Sequence, residues 1–169
     1  MISLVKKLIS TLIIVLIVVS VFTSCKNRSD VDQFIWIIRN AENDSLGNLN
    51  QDGLIRSMYL DSLFMNENID GLYSLNQKEN IETLKYVSER KKIEIIPLKT
   101  EQLDSIMAFI GSNKRVVLCL NKDQIIPTIN QIGLTTTIDS ISKNQFEYLF
   151  KIILPASSSK EKKLEIRYF

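Results

Sequence analysis

The chain has 169 residues, with 21 Lys and Arg, 19 Asp and Glu, two cysteines and no histidine. The absence of histidine excludes Ser-His-Asp and Cys-His catalysis, a phosphohistidine intermediate on this chain and zinc bound by histidine. Two cysteines are too few for a disulfide framework or a four-Cys zinc site. The length suits one domain, and a content of 45% hydrophobic and 24% charged residues is that of a folded chain.

The N-terminus has the pattern of a targeting segment. Two lysines in residues 1–7 precede an apolar run over residues 8–22, and Thr23-Ser24-Cys25 follows. A charged start, a short apolar run and small residues make up a secretory signal peptide, and this run is shorter than the roughly 20 residues of a membrane span. Small residues that lead into a cysteine resemble the lipobox of bacterial lipoproteins, although Phe22 stands where that motif usually has an aliphatic residue.

The lipobox resemblance implies that Cys25 is lipidated and begins the mature chain. Residues 1–24 are then the signal peptide, 25–32 the lipidated cysteine with a polar tether, and 33–169 the folded domain. The implied partner is the membrane, through lipid on Cys25, and the implied location is extracytoplasmic in a bacterial cell envelope. An uncleaved signal anchor is the alternative. Because Lys6 and Lys7 lie in the signal peptide, 19 basic residues remain against 19 acidic ones, and the net charge indicates no nucleic-acid partner.

Strands and helices are predicted to alternate over residues 33–133. Apolar runs predict strands at 34–38, 69–74, 93–96 (closed by Pro97) and 115–120, while apolar residues at helical spacing predict helices at 54–64, 81–91 (capped by Asn80), 103–110 and 124–132 (capped by Asp123). Residues 148–154 and 164–169 predict a terminal hairpin. The expected fold is an α/β three-layer sandwich, with a mostly parallel central sheet flanked by helices and a C-terminal antiparallel hairpin.

The first predicted helix carries an apolar stripe. Its members are Leu54, Ile55, Met58, Tyr59, Leu63 and Phe64. A stripe at this spacing is typical of the side of a helix that faces the core.

Four short motifs follow these elements in order. They are Arg39-Asn40-Ala41-Glu42 after the first strand, Leu49-x-x-x-Gly53-x-x-Arg56 at the first helix, Tyr73-Ser74 through Thr83 at the second strand, and Val116 through Leu120 followed by Asn121-Lys122-Asp123 and Pro127. Together they resemble the histidine phosphatase superfamily, with its phosphoglycerate-mutase-like fold, over about residues 33–169. The resemblance is closest to its small extracytoplasmic members.

The departures from this family fall on its catalytic positions. The resemblance places Asn40 where the nucleophilic histidine would stand and Glu79 where a phosphate-binding arginine would stand. Asn121 or Lys122, depending on a one-residue gap, takes the place of the second histidine. Arg39 is retained. The implied ligand-binding set is thus Arg39, Asn40, Glu79, Asn121 and Lys122, with no catalytic residue expected among them.

The chemistry of these replacements opposes phosphate transfer. The nitrogen of the Asn40 amide is delocalised into its carbonyl and cannot be phosphorylated as an imidazole is. A Glu79 carboxylate about 4 Å from a phosphate charge would cost about 4 kcal/mol at an effective dielectric constant of 20. We therefore expect Glu79 to pair with Arg39 and close the pocket.

Two functions follow from this pattern. The first is a catalytically inactive, membrane-anchored lipoprotein that acts as a binding or scaffold module. The second is a hydrolase or transferase without histidine, with Glu42 or Glu79 as general base and Arg39 as a phosphate clamp. No cofactor or metal is expected, since Glu42, Glu79 and Asp123 lie on separate loops, and Cys119 is expected to be a buried thiol. A small anion and a protein stay open as further partners, and the oligomeric state is undetermined.

Overall fold

Six strands and four α-helices alternate within residues 31–111, 115–157 and 159–169, which are those that the computed structural model describes. The strands are β1 (Gln33–Arg39), β2 (Gly71–Leu75), β3 (Ile95–Leu98), β4 (Arg115–Leu120), β5 (Tyr148–Leu154) and β6 (Lys163–Tyr168), and the helices are α1 (Gln51–Leu63), α2 (Lys78–Lys91), α3 (Ile106–Ile110) and α4 (Lys122–Gln131), with a 3₁₀ helix at Thr100–Ser105. The predicted signal peptide, Cys25 and the tether up to Asp30 lie outside the described residues.

The strands form one sheet in the order β3-β2-β4-β1-β5-β6. The four strands β1 to β4 are parallel, and β1 pairs with β4 from Phe34 opposite Arg115 to Arg39 opposite Leu120. β5 is antiparallel to β1, and β6 is antiparallel to β5. The predicted α/β fold, with its mostly parallel sheet and C-terminal hairpin, is confirmed.

Helices cover both faces of the sheet because alternate strand residues point to opposite sides. Ile35 and Ile37 of β1 pack in the hydrophobic cluster that includes residues of the 3₁₀ helix, α3 and α4. Trp36 and Ile38 pack in a second cluster with residues of α1 and α2. Both clusters lie within the compact unit Val31–Phe169. None of the helices in the described ranges has the length and apolar character needed to cross a membrane.

Helix α1 forms as predicted, but it turns the opposite face to the core. Gly53, Ser57, Leu60 and Asp61 are buried, and of the predicted stripe only Phe64 is buried with them. The exposed apolar residues are Leu54 (44% exposed), Ile55 (58%), Met58 (51%), Tyr59 (51%) and Leu63 (37%), with Met65 (50%) just beyond the helix; we call these six residues the apolar face. The prediction that this stripe faces the core is wrong.

Close approach and hydrogen bonds explain this orientation of α1. A Cβ atom on Gly53 would lie 2.0 Å from the Glu42 carbonyl oxygen, so the helix can sit this close only with glycine there. Ser57 donates to the carbonyl of Thr83 on α2 at 2.8 Å. Asp61 accepts three hydrogen bonds from Arg90 of α2. Small and hydrogen-bonding residues therefore select the inner side of α1.

Several boundaries differ from the predictions. The helix predicted at 103–110 is a 3₁₀ helix up to Ser105 and an α-helix only from Ile106. α2 begins at Lys78 after Gln77, so Asn80 is a fully buried helix residue and not its cap. α4 begins after Asn121, and Asp123 lies within its first turn. Pro97 lies inside β3, which is tolerated because β3 is an edge strand.

Candidate functional site

The loops after β1, β2 and β4 meet at the carboxyl edge of the sheet. The Asn40 backbone N–H donates to the Leu120 carbonyl at 2.9 Å, which joins the first loop to the end of β4. The Asn121 side chain donates through Nδ2 to Gln77 Oε1 at 2.7 Å, which joins the third loop to the second. Ligands of open α/β sheets bind outside the carboxyl ends of the strands. This edge is therefore the candidate site.

Arg39 is engaged by a segment of its own chain. Its Nη1 donates to the carbonyl oxygens of Ser142, at 2.9 Å, and Gln145, at 2.7 Å. Its guanidinium carbon lies 3.7 Å from the centroid of the Phe146 ring, a cation–π contact. Burial lowers the pKa of Arg39, and the nearby charges of Glu42 and Asp123 oppose that shift in part. Arg39, the one arginine of the family's pocket that the resemblance retains, thus binds the 142–146 segment.

Glu79 does not form the predicted ion pair with Arg39. Its carboxylate lies beside Gly47, where Oε2 would be 3.0 Å from a Cβ atom on that glycine. The reason is strand alternation, since Arg39 follows Ile35 and Ile37 toward one face of the sheet while α2, which carries Glu79, covers the other. Glu79 lies in the first turn of α2, where the helix dipole favours a carboxylate. The expected Arg39–Glu79 pair is wrong.

Asn40 occupies a tightly bonded turn. It is 8% exposed, and its side-chain Nδ2 lies 3.3 Å from the Ala41 carbonyl. The following backbone N–H, that of Ala41, donates to Thr83 Oγ1 at 2.9 Å, and Thr83 Oγ1 donates in turn to the Glu79 carbonyl at 2.6 Å. Thr83 therefore fixes the turn after β1 to α2.

The two residues after β4 have different partners. Asn121 points toward Gln77, as described above, whereas the Lys122 ammonium pairs with its neighbour Asp123 at 2.5 Å. Cys119, within β4, is fully buried, and burial raises the pKa of its thiol. The structure thus directs Asn121, and not Lys122, toward the loop after β2.

Four buried side-chain polar atoms of the described residues have no protein partner, and three of them are hydrogen-bond acceptors. The amide oxygens of Asn80, Asn121 and Gln124 are buried without a protein partner, and Arg39 Nε is the single donor in this condition. A phosphate oxygen accepts hydrogen bonds and needs donors around it. These buried, unpaired atoms therefore offer an anion mainly acceptors.

Glu42 and Arg56 form a two-point ion pair beside the site. Arg56 donates through Nε and Nη2 to the Glu42 carboxylate at 2.8 and 2.6 Å. Burial by itself would raise the pKa of Glu42, but the hydrogen bonds and charge of Arg56 outweigh it, so that the pKa lies below its usual value. A carboxylate held in this way is a weaker base, which argues against Glu42 as a general base.

Replacing Glu42 by glutamine should lower stability at neutral pH and have less effect in acid. A carboxyl with a depressed folded-state pKa stabilises the fold above the pKa of the unfolded chain, here about 4.5, and this contribution disappears as the pH falls through the folded-state value. Urea denaturation of the wild type and Glu42→Gln at neutral and acidic pH measures the difference. Glu161→Gln, in the exposed β5–β6 turn, is the control. If the free energy of unfolding differs between the wild type and Glu42→Gln by the same amount at both pH values, the expectation is contradicted.

Several residues of the site were not found from the sequence. Phe146 lies before the predicted strand at 148–154 and before β5, which begins at Tyr148. Its ring contacts both Arg39 and Arg56, and the Arg56 guanidinium carbon lies 5.5 Å from the ring centroid. Thr83 and Gln77 have no local pattern that marks them. Gly53 and Arg56 do belong to a motif, and the structure shows what that motif does, since both bind the loop at Glu42.

A cavity of about 350 Å³ lies next to this edge but does not include Arg39. It is lined by Glu42, Asp52, Ile55, Arg56, Tyr59 and Phe169. The rings of Tyr59 and the C-terminal Phe169 are parallel, with 6.0 Å between their centroids. Among the described residues, no three Cys, Asp or Glu side chains are grouped so as to hold a metal ion.

Comparisons with known proteins identify the fold. No family profile matches the sequence, and no curated protein matches it either. The solved structure of the protein histidine phosphatase SixA in complex with tungstate aligns with a TM-score of 0.58 at 9% identity, over 80% of this chain and 97% of that one. A SixA protein from Agrobacterium tumefaciens gives 0.56 at 13% identity, over 79% and 97%. Phosphoglycerate mutase from Bacillus anthracis gives 0.55 at 11% identity, over 83% and 94%.

The chain therefore has the phosphoglycerate-mutase-like fold of the histidine phosphatase superfamily. The alignments span nearly the whole of each solved chain and most of this one. The resemblance inferred from the four motifs is confirmed at the level of the fold, and the candidate site at the carboxyl edge lies where the first, second and third loops of that fold meet.

Proposed function

We propose that the protein is a lipoprotein, anchored in a bacterial cell envelope through lipid on Cys25, whose histidine-phosphatase-like domain is catalytically inactive and serves as a binding or scaffold module. The structural neighbours are phosphatases and mutases by name, so the proposal is that this chain keeps their fold without their reaction. The anchor rests on the sequence pattern of residues 1–25.

The state of Arg39 is the observation that carries the proposal. A phosphate clamp needs its guanidinium donors aimed at open space, but Nη1 of Arg39 is occupied by two carbonyl oxygens and the flat side of the group is covered by Phe146. Releasing Arg39 toward a ligand would break two hydrogen bonds from a charged donor, each worth about 1.5–3 kcal/mol. The 142–146 segment thus competes with any phosphate for this residue.

The remaining positions support the same conclusion. Asn40 offers an amide in place of a nucleophile, and the unpaired polar atoms nearby are mainly acceptors. The alternative, a phosphate-ester hydrolase that works without histidine, needs a free carboxylate as base. Glu42 is bound at both oxygens by Arg56.

The mature chain should hydrolyse neither p-nitrophenyl phosphate nor a phosphohistidine peptide above a no-enzyme control. The assay compares residues 25–169 with a histidine phosphatase of the same fold, run in parallel to show that the conditions allow turnover. Hydrolysis that disappears in Asn40→Ala and persists in Glu161→Gln would refute the inactive domain. Because Asn40 makes only one long side-chain hydrogen bond, the alanine variant is expected to fold.

A further inference from the structure

The apolar face of α1 is the most unusual surface of the domain. Its six large apolar side chains are between 37% and 58% exposed and follow one side of the helix from Leu54 to Met65. The charged residues of this stretch, Arg56 and Asp61, turn inward to ion pairs with Glu42 and Arg90. An exposed apolar surface of this kind is typical of a site that binds another protein or a membrane.

The start of the domain lies at one end of this face. Phe64, directly after α1, packs edge-on against Trp36 with 5.7 Å between ring centroids, and Trp36 stacks on Phe34. The chain therefore enters β1 beside the C-terminal end of α1. The six residue steps from Cys25 to Val31 can span at most about 20 Å, and the 13 residues of α1 are also about 20 Å long.

Basic residues flank the same end of the face. Lys91 donates through Nζ to the carbonyls of Met65, at 2.8 Å, and Glu67, at 2.7 Å, which places an ammonium group beside the apolar face. Lys92 follows it and is exposed. Cationic groups beside an exposed apolar helix face are the pattern of helices that lie at the surface of an anionic membrane.

We propose that the apolar face of α1 rests on the surface of the bilayer that holds the lipid on Cys25. This inference rests on the proposed anchor, whose tether keeps the domain within about 20 Å of the membrane. The domain then lies on its α1 side, and the opposite side of the sheet, with α4, faces away from the lipid.

Tryptophan quenching can test this orientation. The mature chain, residues 25–169, is coupled through Cys25 to a maleimide lipid in vesicles of phosphatidylethanolamine and phosphatidylglycerol, which supplies the anchor chemically. Cys119 is buried and does not compete for the reagent. The two variants are Met58→Trp on the apolar face and, as a matched control, Asn130→Trp at an exposed position of α4. Trp36 is 3% exposed and gives both variants the same background.

In vesicles that contain lipids brominated along the acyl chain, the added tryptophan at position 58 should lose most of its emission and shift to shorter wavelength. The tryptophan at position 130 should do neither. Equal emission from the two variants would overturn the proposal. A dimer in solution, without vesicles, would also overturn it if Met58→Asp dissociates the dimer and Phe109→Asp does not. Phe109 is an exposed apolar position on α3, so this pattern would show that the apolar face binds a second copy of the chain.

The anchor itself is tested separately. The full chain, produced in a bacterial cell with its N-terminal segment, should incorporate a labelled fatty acid, and Cys25→Ser should not. If neither protein or both proteins are labelled, the lipid on Cys25 is refuted, while the chemically anchored vesicles still decide whether the apolar face contacts lipid.

Discussion

Replacing Arg39 by alanine should lower the free energy of unfolding by about 3 kcal/mol, because hydrogen bonds from a charged donor are worth about 1.5–3 kcal/mol each and the change removes two. The Ser142 and Gln145 carbonyls lose their donor, and Phe146 loses the guanidinium that it covers. Urea denaturation at neutral pH measures the loss. Hydrogen exchange should show that it begins with residues 142–146.

The matched control for this change is Arg167→Ala. Arg167 pairs with Glu165 on the surface of β6, where an ion pair adds little to stability, so this variant should unfold close to the wild type. If Arg39→Ala is as stable as the wild type, Arg39 does not stabilise the 142–146 segment. An increase in melting temperature on adding inorganic phosphate, present in the wild type and absent in Arg39→Ala, would return Arg39 to a ligand-binding role.

Replacing Gly53 by alanine should lower the free energy of unfolding by about 3 kcal/mol, the upper part of the range for inserting atoms into a packed interior. The new Cβ would lie 2.0 Å from the Glu42 carbonyl oxygen, 2.9 Å from its carbon and 3.0 Å from its nitrogen. These are backbone atoms, so the loop after β1 has to move. The movement would also disturb the Glu42–Arg56 ion pair.

Gln51→Ala is the control for Gly53→Ala. Gln51 is the exposed first residue of the same helix. Alanine at this position changes the helix propensity but places no atom against another segment. Thermal and urea unfolding of both variants gives the comparison. Unchanged stability of Gly53→Ala would show that α1 can sit farther from the loop, and the explanation given for its inverted orientation would fail.

The fold was predictable because its central strands are uniformly apolar. β1 and β4 are buried on both faces, so their sequences are continuous apolar runs that need no partner to be recognised. The face of α1 was not predictable in the same way. Its orientation depends on Gly53 and Ser57 meeting backbone groups of two other segments, and hydrophobic periodicity carries no information about such long-range contacts.

The location of the site was predictable from the sequence, but the hydrogen-bond partners of its residues were not. The loops after parallel strands must end at one edge of the sheet, so the nearness of Asn40 and Asn121 to each other follows from topology. The partner of Arg39 did not follow, because the segment at 142–146 lies more than 100 residues later and has no regular structure. Charge alone suggested Glu79, whereas strand alternation sends Arg39 to the other side.

The proline inside β3 has a consequence for association between molecules of this protein. β3 and β6 are the two edges of the sheet, and an open edge can recruit a strand from a neighbouring molecule. Pro97 removes an amide donor from a strand of only four residues. β6 carries Lys163, Glu165 and Arg167 at alternate positions, and charged side chains on an edge strand discourage pairing. The proposed lipid anchor would concentrate molecules in one plane, and these two edges would discourage such molecules from joining edge to edge into larger sheets.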